Sequence, residues 1–205
     1  PEYLVALHVY PEMMVGKVGV RSGLYMASSD EIHLRFIGVG GHGALPANCV
    51  NPLSMAAEVI LNAQKIIDEF HPEGVPTVLS FGRIEGLGST NVIPSECTLK
   101  GTLRTMDEAW RADFFERFTR FVNEVATRYG GSVEFERAPG YPFLKNDPHV
   151  TKGVEQSLKL QLGEAHVETL PLRMTAEDFA FYSHKVPVCF FRLGVGDPEK
   201  AMNYG

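Results

Sequence analysis

Five side chains in this sequence are of types that do chemistry and stand where a fold can present them: His8, His42, Asn91, Arg104 and Glu177. His8 ends an apolar run, Tyr3-Leu4-Val5-Ala6-Leu7-His8-Val9, that reads as a buried strand. A neutral imidazole there is either a satisfied core histidine or a metal ligand at the C-terminal end of a strand. One histidine makes no site, since zinc takes several protein ligands, and no HxxxH, HExxH or CxxC spacing completes one. His42 lies in Gly38-Val39-Gly40-Gly41-His42-Gly43, which satisfies GxGxxG after a strand. Dinucleotide binding needs a helix to open at the last glycine and an acidic residue to end a second strand. Pro46 and Asn51-Pro52 delay the helix to residue 52, and Glu58 falls inside it, so that reading is rejected. What remains is a histidine held out between glycines, either a hydrogen-bond donor to a ligand or a solvated turn residue.

Asn91-Val92-Ile93-Pro94 reads as a turn between two strands, where asparagine is ordinary. Arg104 alternates with Thr98, Lys100 and Thr102, a solvated strand face; a guanidinium with an amide nearby also suits a substrate carboxylate by bidentate hydrogen bonding. The run Thr175 to Tyr182 reads as a helix N-terminus, with Glu177 and Asp178 favourably placed on the dipole. His33, His71, His149, His166 and His184 show no partner pattern and are taken as surface or turn residues.

The elements that must position these groups follow from periodicity. Residues 31–37 alternate as a half-buried strand with Ile32, Leu34 and Phe36 inward. Asn51-Pro52 caps a helix with Leu53, Ala56, Ala57, Ile60, Leu61 and Ile67 on one face. Strand-like runs Thr77 to Glu85 and Glu96 to Thr105 come next. Asp107 then caps a long helix carrying Trp110, Phe114, Phe118, Phe121, Val122 and Val125, with Glu116–Arg120 and Glu124–Arg128 spaced as ion pairs. Gly130-Gly131 ends it, and Ser132 to Ala138 is a further strand. The order β-α-β-β-α-β is that of a ferredoxin-like unit, residues 23–139. Residues 1–22 and 140–205 supply an apolar first strand, a buried strand from Pro187 to Leu193, and two helices, one capped by Asp147-Pro148 and one from Thr175. These read as part of an α/β layer into which the ferredoxin-like unit is inserted, with hinges near 21–24 and 138–142. Two strands and two helices cannot cover such a sheet on both faces, and Pro1 runs straight into a strand. The chain is therefore expected to be a piece of a longer protein.

Composition narrows the class. Of 205 residues, 44% are apolar and 21% charged, and 25 acidic against 19 basic side chains leave a net charge of −6. Interspersed acidic charge argues against nucleic acid or an anionic membrane as partner. No apolar run is long enough to span a bilayer, and the first residues lack a signal-peptide layout. Cys49, Cys97 and Cys189 are odd in number and read as reduced, buried thiols of a cytoplasmic protein.

Five collinear segments, Ala6-Leu7-His8-Val9, Gly40-Gly41-His42-Gly43-Ala44-Leu45-Pro46, Asn91-Val92-Ile93-Pro94, Gly101-Thr102-Leu103-Arg104-Thr105 and Ala176-Glu177-Asp178-Phe179-Ala180-Phe181-Tyr182, together resemble the M20 metallopeptidases. The nearest branch is that of N-acyl-amino-acid amidohydrolases, hippurate hydrolases and carboxypeptidases. The resemblance runs the length of the chain and implies a catalytic α/β domain holding two divalent metal ions, zinc or manganese. It also implies an inserted ferredoxin-like lid that mediates homodimerisation. By that resemblance His8 is a metal ligand, and His42 is the lid histidine that enters the partner subunit's active site and polarises the scissile carbonyl. Asn91 and Arg104 hold substrate, while Glu177 and a Gly194-Val195-Gly196 turn line the pocket. The family's CGHD-type ligand segment and its Glu-Glu pair have no counterpart here, and a last ligand histidine would follow Asn203-Tyr204-Gly205.

The expected function is amide hydrolysis of N-acyl amino acids or of C-terminal residues of small peptides, carried here by an incomplete chain that is inactive alone. The alternative is a non-catalytic dimerisation fragment without a metal site. A ferredoxin-like RNA-binding sheet is disfavoured by the acidic charge and the lack of paired aromatics on the central strands.

Overall fold

The computed structural model describes residues 1–197, which divide into two compact units, Ser28–Gly140 and the flanking segments Pro1–Ala27 and Tyr141 onward. The first flank holds β1 (Leu4–Met14), β2 (Val18–Val20) and β3 (Gly23–Met26). The inserted unit holds β4 (Asp30–Ile37), β5 (Gly41–His42), α1 (Pro52–Asn62), α2 (Gln64–Phe70), β6 (Thr77–Glu85), β7 (Val92–Ile93), β8 (Glu96–Thr105), α3 (Glu108–Arg128) and β9 (Ser132–Pro139). The second flank holds β10 (Leu144–Asn146), α4 (Pro148–Leu162), β11 (Val167–Thr169), α5 (Ala180–Ser183) and β12 (Val188–Gly196).

In the inserted unit the sheet order is β6-β8-β4-β9 with every neighbour antiparallel, so β8 lies between the two strands of a split βαβ, as the sequence order requires. Ile32, Leu34 and Phe36 of β4 point inward with Leu99 and Leu103 of β8. They meet Met55, Val59, Phe114, Phe118 and Val122 from the helices, the Phe114 and Phe118 rings stacking at 5.5 Å. Asn51 caps α1 by accepting the Leu53 N–H, and Asp107 caps α3 by accepting the Trp110 N–H at 2.7 Å. The helix expected to run through Ile67 is two helices, broken at Ala63. Among the described residues neither expected pair, Glu116–Arg120 nor Glu124–Arg128, is in contact; α3 instead carries Glu108–Arg111 and Asp113–Arg117, and its Arg128 pairs with Glu58 of α1. Fully buried Asp30 takes a two-pronged contact from Arg111, at 2.6 and 3.0 Å, and a third bond from Arg137 at 2.8 Å.

The other unit is richer in strands than its sequence suggests. A four-stranded sheet runs β1-β12-β2-β11, with β1 and β12 parallel, and β10 pairs with β3 in a separate ribbon. The strands of three or four residues carry too few alternations to register as periodicity. Because β3 belongs to this ribbon, the division falls after Ala27 rather than after residue 22. Two further corrections concern candidate site segments. The helix read from Thr175 is a single turn at Ala180–Ser183: the Thr175 carbonyl accepts the Ala27 N–H at 3.1 Å, which binds residues 175–179 to the chain beyond β3 instead of to a helical ladder. Gly194-Val195-Gly196 is the end of β12, not a turn. A Cβ at Gly194 would sit 2.1 Å from the Met14 carbonyl oxygen, so glycine serves close strand approach there. The inward face of β1 packs with Tyr25, Met26, Val188 and Phe190, whereas Val5, Leu7 and Val9 on its other face are 43%, 50% and 45% exposed and β1 lies at the sheet edge. No helix among the described residues is long and apolar enough to cross a membrane.

Candidate functional site

His8 sits on β1 directly across from Arg192 of β12 in the parallel register, in the middle of both strands rather than at the carboxyl end expected from the sequence. Its ring is exposed rather than enclosed in the core. Nδ1 lies 2.9 Å from the Val9 carbonyl oxygen, which can only accept, so Nδ1 carries the proton and Nε2 of the neutral ring carries the lone pair. That is the tautomer of a metal-ligating histidine whose other nitrogen is held by a carbonyl. The donor set stops there: the described residues contain no group of three or more His, Cys, Asp or Glu side chains able to hold an ion. His8 therefore fits one ligand position and the described residues do not make a whole site. The segment Asn203-Tyr204-Gly205, beside which a further ligand was expected, lies outside the described residues.

Glu177 stands in the irregular segment before α5, in the electrostatic neighbourhood of His8, Asp178 and Arg192. Burial, and then a hydrogen bond with the Asp178 carboxyl, raise its pKa above the usual carboxylate range, while Arg192 and His8 act in the opposite sense. Arg192 was not singled out from the sequence. It is 7% exposed, donates from Nε to the buried Tyr25 hydroxyl at 3.1 Å, and places its guanidinium 5.0 Å from the Phe190 ring centre. The signal was available: an arginine inside the run Val188 to Leu193 is a charge on an otherwise apolar strand.

In the inserted unit His42 is carried by β5, which pairs with β7 in register His42 to Val92. The ribbon explains the glycines: a Cβ at Gly40 would lie 2.7 Å from the Ile93 carbonyl oxygen and one at Gly41 2.8 Å from Cys49 Sγ. The imidazole Nδ1 accepts the Ala44 N–H at 3.1 Å, so in the neutral ring Nε2 carries the proton and faces outward as a donor. Asn91 adjoins it, since its carbonyl accepts the Gly43 N–H at 2.8 Å. Its side-chain oxygen accepts the Ser89 hydroxyl at 3.0 Å, which orients the carboxamide and leaves the NH2 group as donor.

His42 and Asn91 are thus together, whereas Arg104 is not with them. Arg104 projects from the far end of β8, opposite Val78 of β6, on the sheet face away from the helices. The His42–Asn91 ribbon adjoins the start of β8, where Gly38 N–H meets the Ser95 carbonyl. The length of β8 separates the two, about 26 Å for the run from Glu96 to Arg104.

Comparison with known proteins bears on what these groups serve. The family model described as the M20 peptidase dimerisation domain matches residues 27–130. An N-acetyldiaminopimelate deacetylase of Lactobacillus helveticus is 31% identical over 204 residues, 99% of this chain and 53% of that protein. An N-acetylcysteine deacetylase of Bacillus subtilis is 30% identical over 198 residues, 96% and 51% of the two. Among solved structures, a putative aminohydrolase of methicillin-resistant Staphylococcus aureus superposes with a TM-score of 0.80 at 26% identity, over 96% of this chain and 51% of that one. A Bacillus subtilis protein described as a dinuclear metal binding peptidase superposes with a TM-score of 0.69 at 25% identity, over 94% and 48%. The chain spans about half the length of the curated relatives it matches.

Proposed function

This chain belongs to the M20 peptidase family, and from that premise we propose that it serves a metal-dependent amidohydrolase acting on the amide bond of N-acyl amino acids or of C-terminal residues of small peptides. The observation that carries the reading is the protonation pattern of His42, whose Nε2–H is fixed outward by the Ala44 N–H bond to Nδ1. A preorganised N–H donor of this kind stabilises the oxyanion that forms as an amide carbonyl is attacked. Asn91, tied to the same ribbon, steadies the substrate beside it through its free NH2 group. Arg104 takes the substrate carboxylate by a two-pronged contact, and Glu177 lines the pocket near His8. His8 would hold one of two divalent ions, zinc or manganese, which when bound supply Lewis-acid polarisation of the carbonyl and acidify a water.

The separation of Arg104 from His42 along β8 supports a homodimer. A small substrate cannot touch both ends of one sheet, so His42 and Asn91 act on substrate held by Arg104 of the partner chain. The dimerisation-domain match supports the same arrangement. Unpaired Cys49, Cys97 and Cys189 support a cytoplasmic site of action. The second reading, a non-catalytic dimerisation piece, draws on the single ligand position, His8, found among the described residues.

The test is hydrolysis of N-acetyl amino acids by the whole protein supplied with zinc or manganese, with His42→Ala alongside. The variant should lose about 10²- to 10³-fold in kcat while retaining its metal. Metal loss in proportion to activity loss would remove His42 from the oxyanion role, and no hydrolysis of any acyl amino acid favours the dimerisation reading.

A further inference from the structure

Among the described residues each unit encloses one arginine, and the two are treated differently. In the inserted unit Arg111, 6% exposed, meets Asp30 through two bonds and Glu108 through a third. In the other unit Arg192, 7% exposed, has neutral contacts. Its Nε donates to the Tyr25 hydroxyl at 3.1 Å, its Nη2 donates to Met26 Sδ at 3.3 Å, and its guanidinium carbon lies 5.0 Å from the Phe190 ring centre. No carboxylate among the described residues forms a contact ion pair with it. Glu177, within reach of the Arg192 charge, has its hydrogen bond with the Asp178 carboxyl instead, and Glu12 is paired with Arg173 at 3.3 Å. Enclosing a guanidinium without a contact carboxylate is costly, and a well-packed apolar side chain of similar volume serves a fold as well or better. Packing alone therefore gives no reason for an arginine at 192.

What the charge faces is His8. The two residues are directly opposite in the parallel register of β1 and β12, on neighbouring strands whose backbones run about 4.8 Å apart. Leu4, Ala6 and Tyr10 on β1 and Val188 and Phe190 on β12 pack into one core and so mark one face of the sheet. His8 and Arg192 fall on the same alternation, so the imidazole and the guanidinium leave the sheet on that same face. Both act electrostatically on Glu177, which brings the three into one neighbourhood. Because His8 Nδ1 is tied to the Val9 carbonyl, Nε2 is the nitrogen open to an ion. A cation held there lies in the field of a fixed positive charge that no contact anion neutralises.

Resting on the reading of His8 as a metal ligand, we propose that Arg192 acts on the ion at His8 through its charge, weakening the hold on that ion and keeping it exchangeable. A guanidinium does not lose its proton in a protein, so the effect is constant across the working pH range. Enclosure keeps salt from screening it. The Tyr25 hydroxyl, by accepting from Nε, fixes where the charge stands.

The experiment is chelator competition for zinc and, separately, for manganese on the whole protein, with His8→Ala identifying which ion His8 holds. Arg192→Met and Arg192→Gln, both uncharged but unlike in shape, should bind that ion about tenfold more tightly and release it correspondingly more slowly into excess chelator. Arg192→Lys, which keeps the charge, should stay close to the parent protein. Thermal melting by circular dichroism shows which variants are folded. Unchanged or weaker affinity in a folded neutral variant, or equal tightening in the Lys variant, overturns the charge effect and leaves His8 standing as a ligand. Metal content and affinity unchanged in His8→Ala overturn both.

Discussion

Burial assigns the three thiols different reactivities. Cys97 and Cys189 are fully enclosed, and loss of water around them raises each thiol pKa above its ordinary value, so the reactive thiolate is disfavoured. Cys49, expected to be buried like them, is only half-buried, beneath the ribbon that carries His42. A thiol reagent at mildly alkaline pH should therefore label Cys49 in the native protein and reach the other two only after unfolding, a pattern that mass spectrometry of the labelled peptides reads directly. Beside Cys189 lies the hydroxyl of Thr151, buried on α4 with no hydrogen-bond partner of good geometry. Such a group costs desolvation without return, so Thr151→Val, which keeps the shape, should raise stability by about 1 kcal/mol in a urea titration. A fall of similar size would mean that the contact with the Cys189 thiol is the stronger effect.

Between elements, the most consequential contact is the ion cluster at the start of β4. Asp30 is enclosed with Arg111 of α3 bound in two-pronged fashion and Arg137 of β9 closing the third side; Arg111 also meets Glu108 at 2.8 Å and the Ser29 carbonyl at 3.2 Å. The cluster ties helix to sheet at the point where the chain enters the inserted unit. Removing the carboxylate leaves a buried guanidinium uncompensated, so Asp30→Asn should cost about 3–5 kcal/mol. The substitution of an exposed pair such as Arg83–Glu85 should cost well under 1 kcal/mol by the same denaturation assay. The two outcomes together separate burial from charge as the source of the effect.

For the whole molecule, the two units differ in how completely they enclose their own apolar surface. The inserted unit has a core running from Ile32 to Ala126, with α1, α2 and α3 against one sheet face and ion pairs over much of the other. Residues 28–140 expressed alone should therefore fold cooperatively, with a single thermal transition by circular dichroism and dispersed amide resonances. A molten spectrum would show that the enclosing contacts are insufficient. The other unit has a smaller core around Tyr25 and Phe190 and leaves the outer row of β1 open.

Sequence alone determined the elements whose periodicity is long enough to be unambiguous. The inserted unit, with its four main strands, its Asp107-capped helix and its inward row of Ile32, Leu34 and Phe36, was legible because alternation and helical spacing are local properties. The candidate residues could also be named from their neighbours in sequence, as with the glycines around His42. Their partners could not, because a contact between residues distant in sequence exists only once the strands are in register. Tertiary structure alone placed His42 with Asn91 and a sheet's length from Arg104, put His8 across from Arg192, and turned the Thr175 segment away from a helix toward Ala27. It also made β12 run straight through Gly194, because what that glycine answers to is the Met14 backbone packed against it, a neighbour that local pattern cannot reveal.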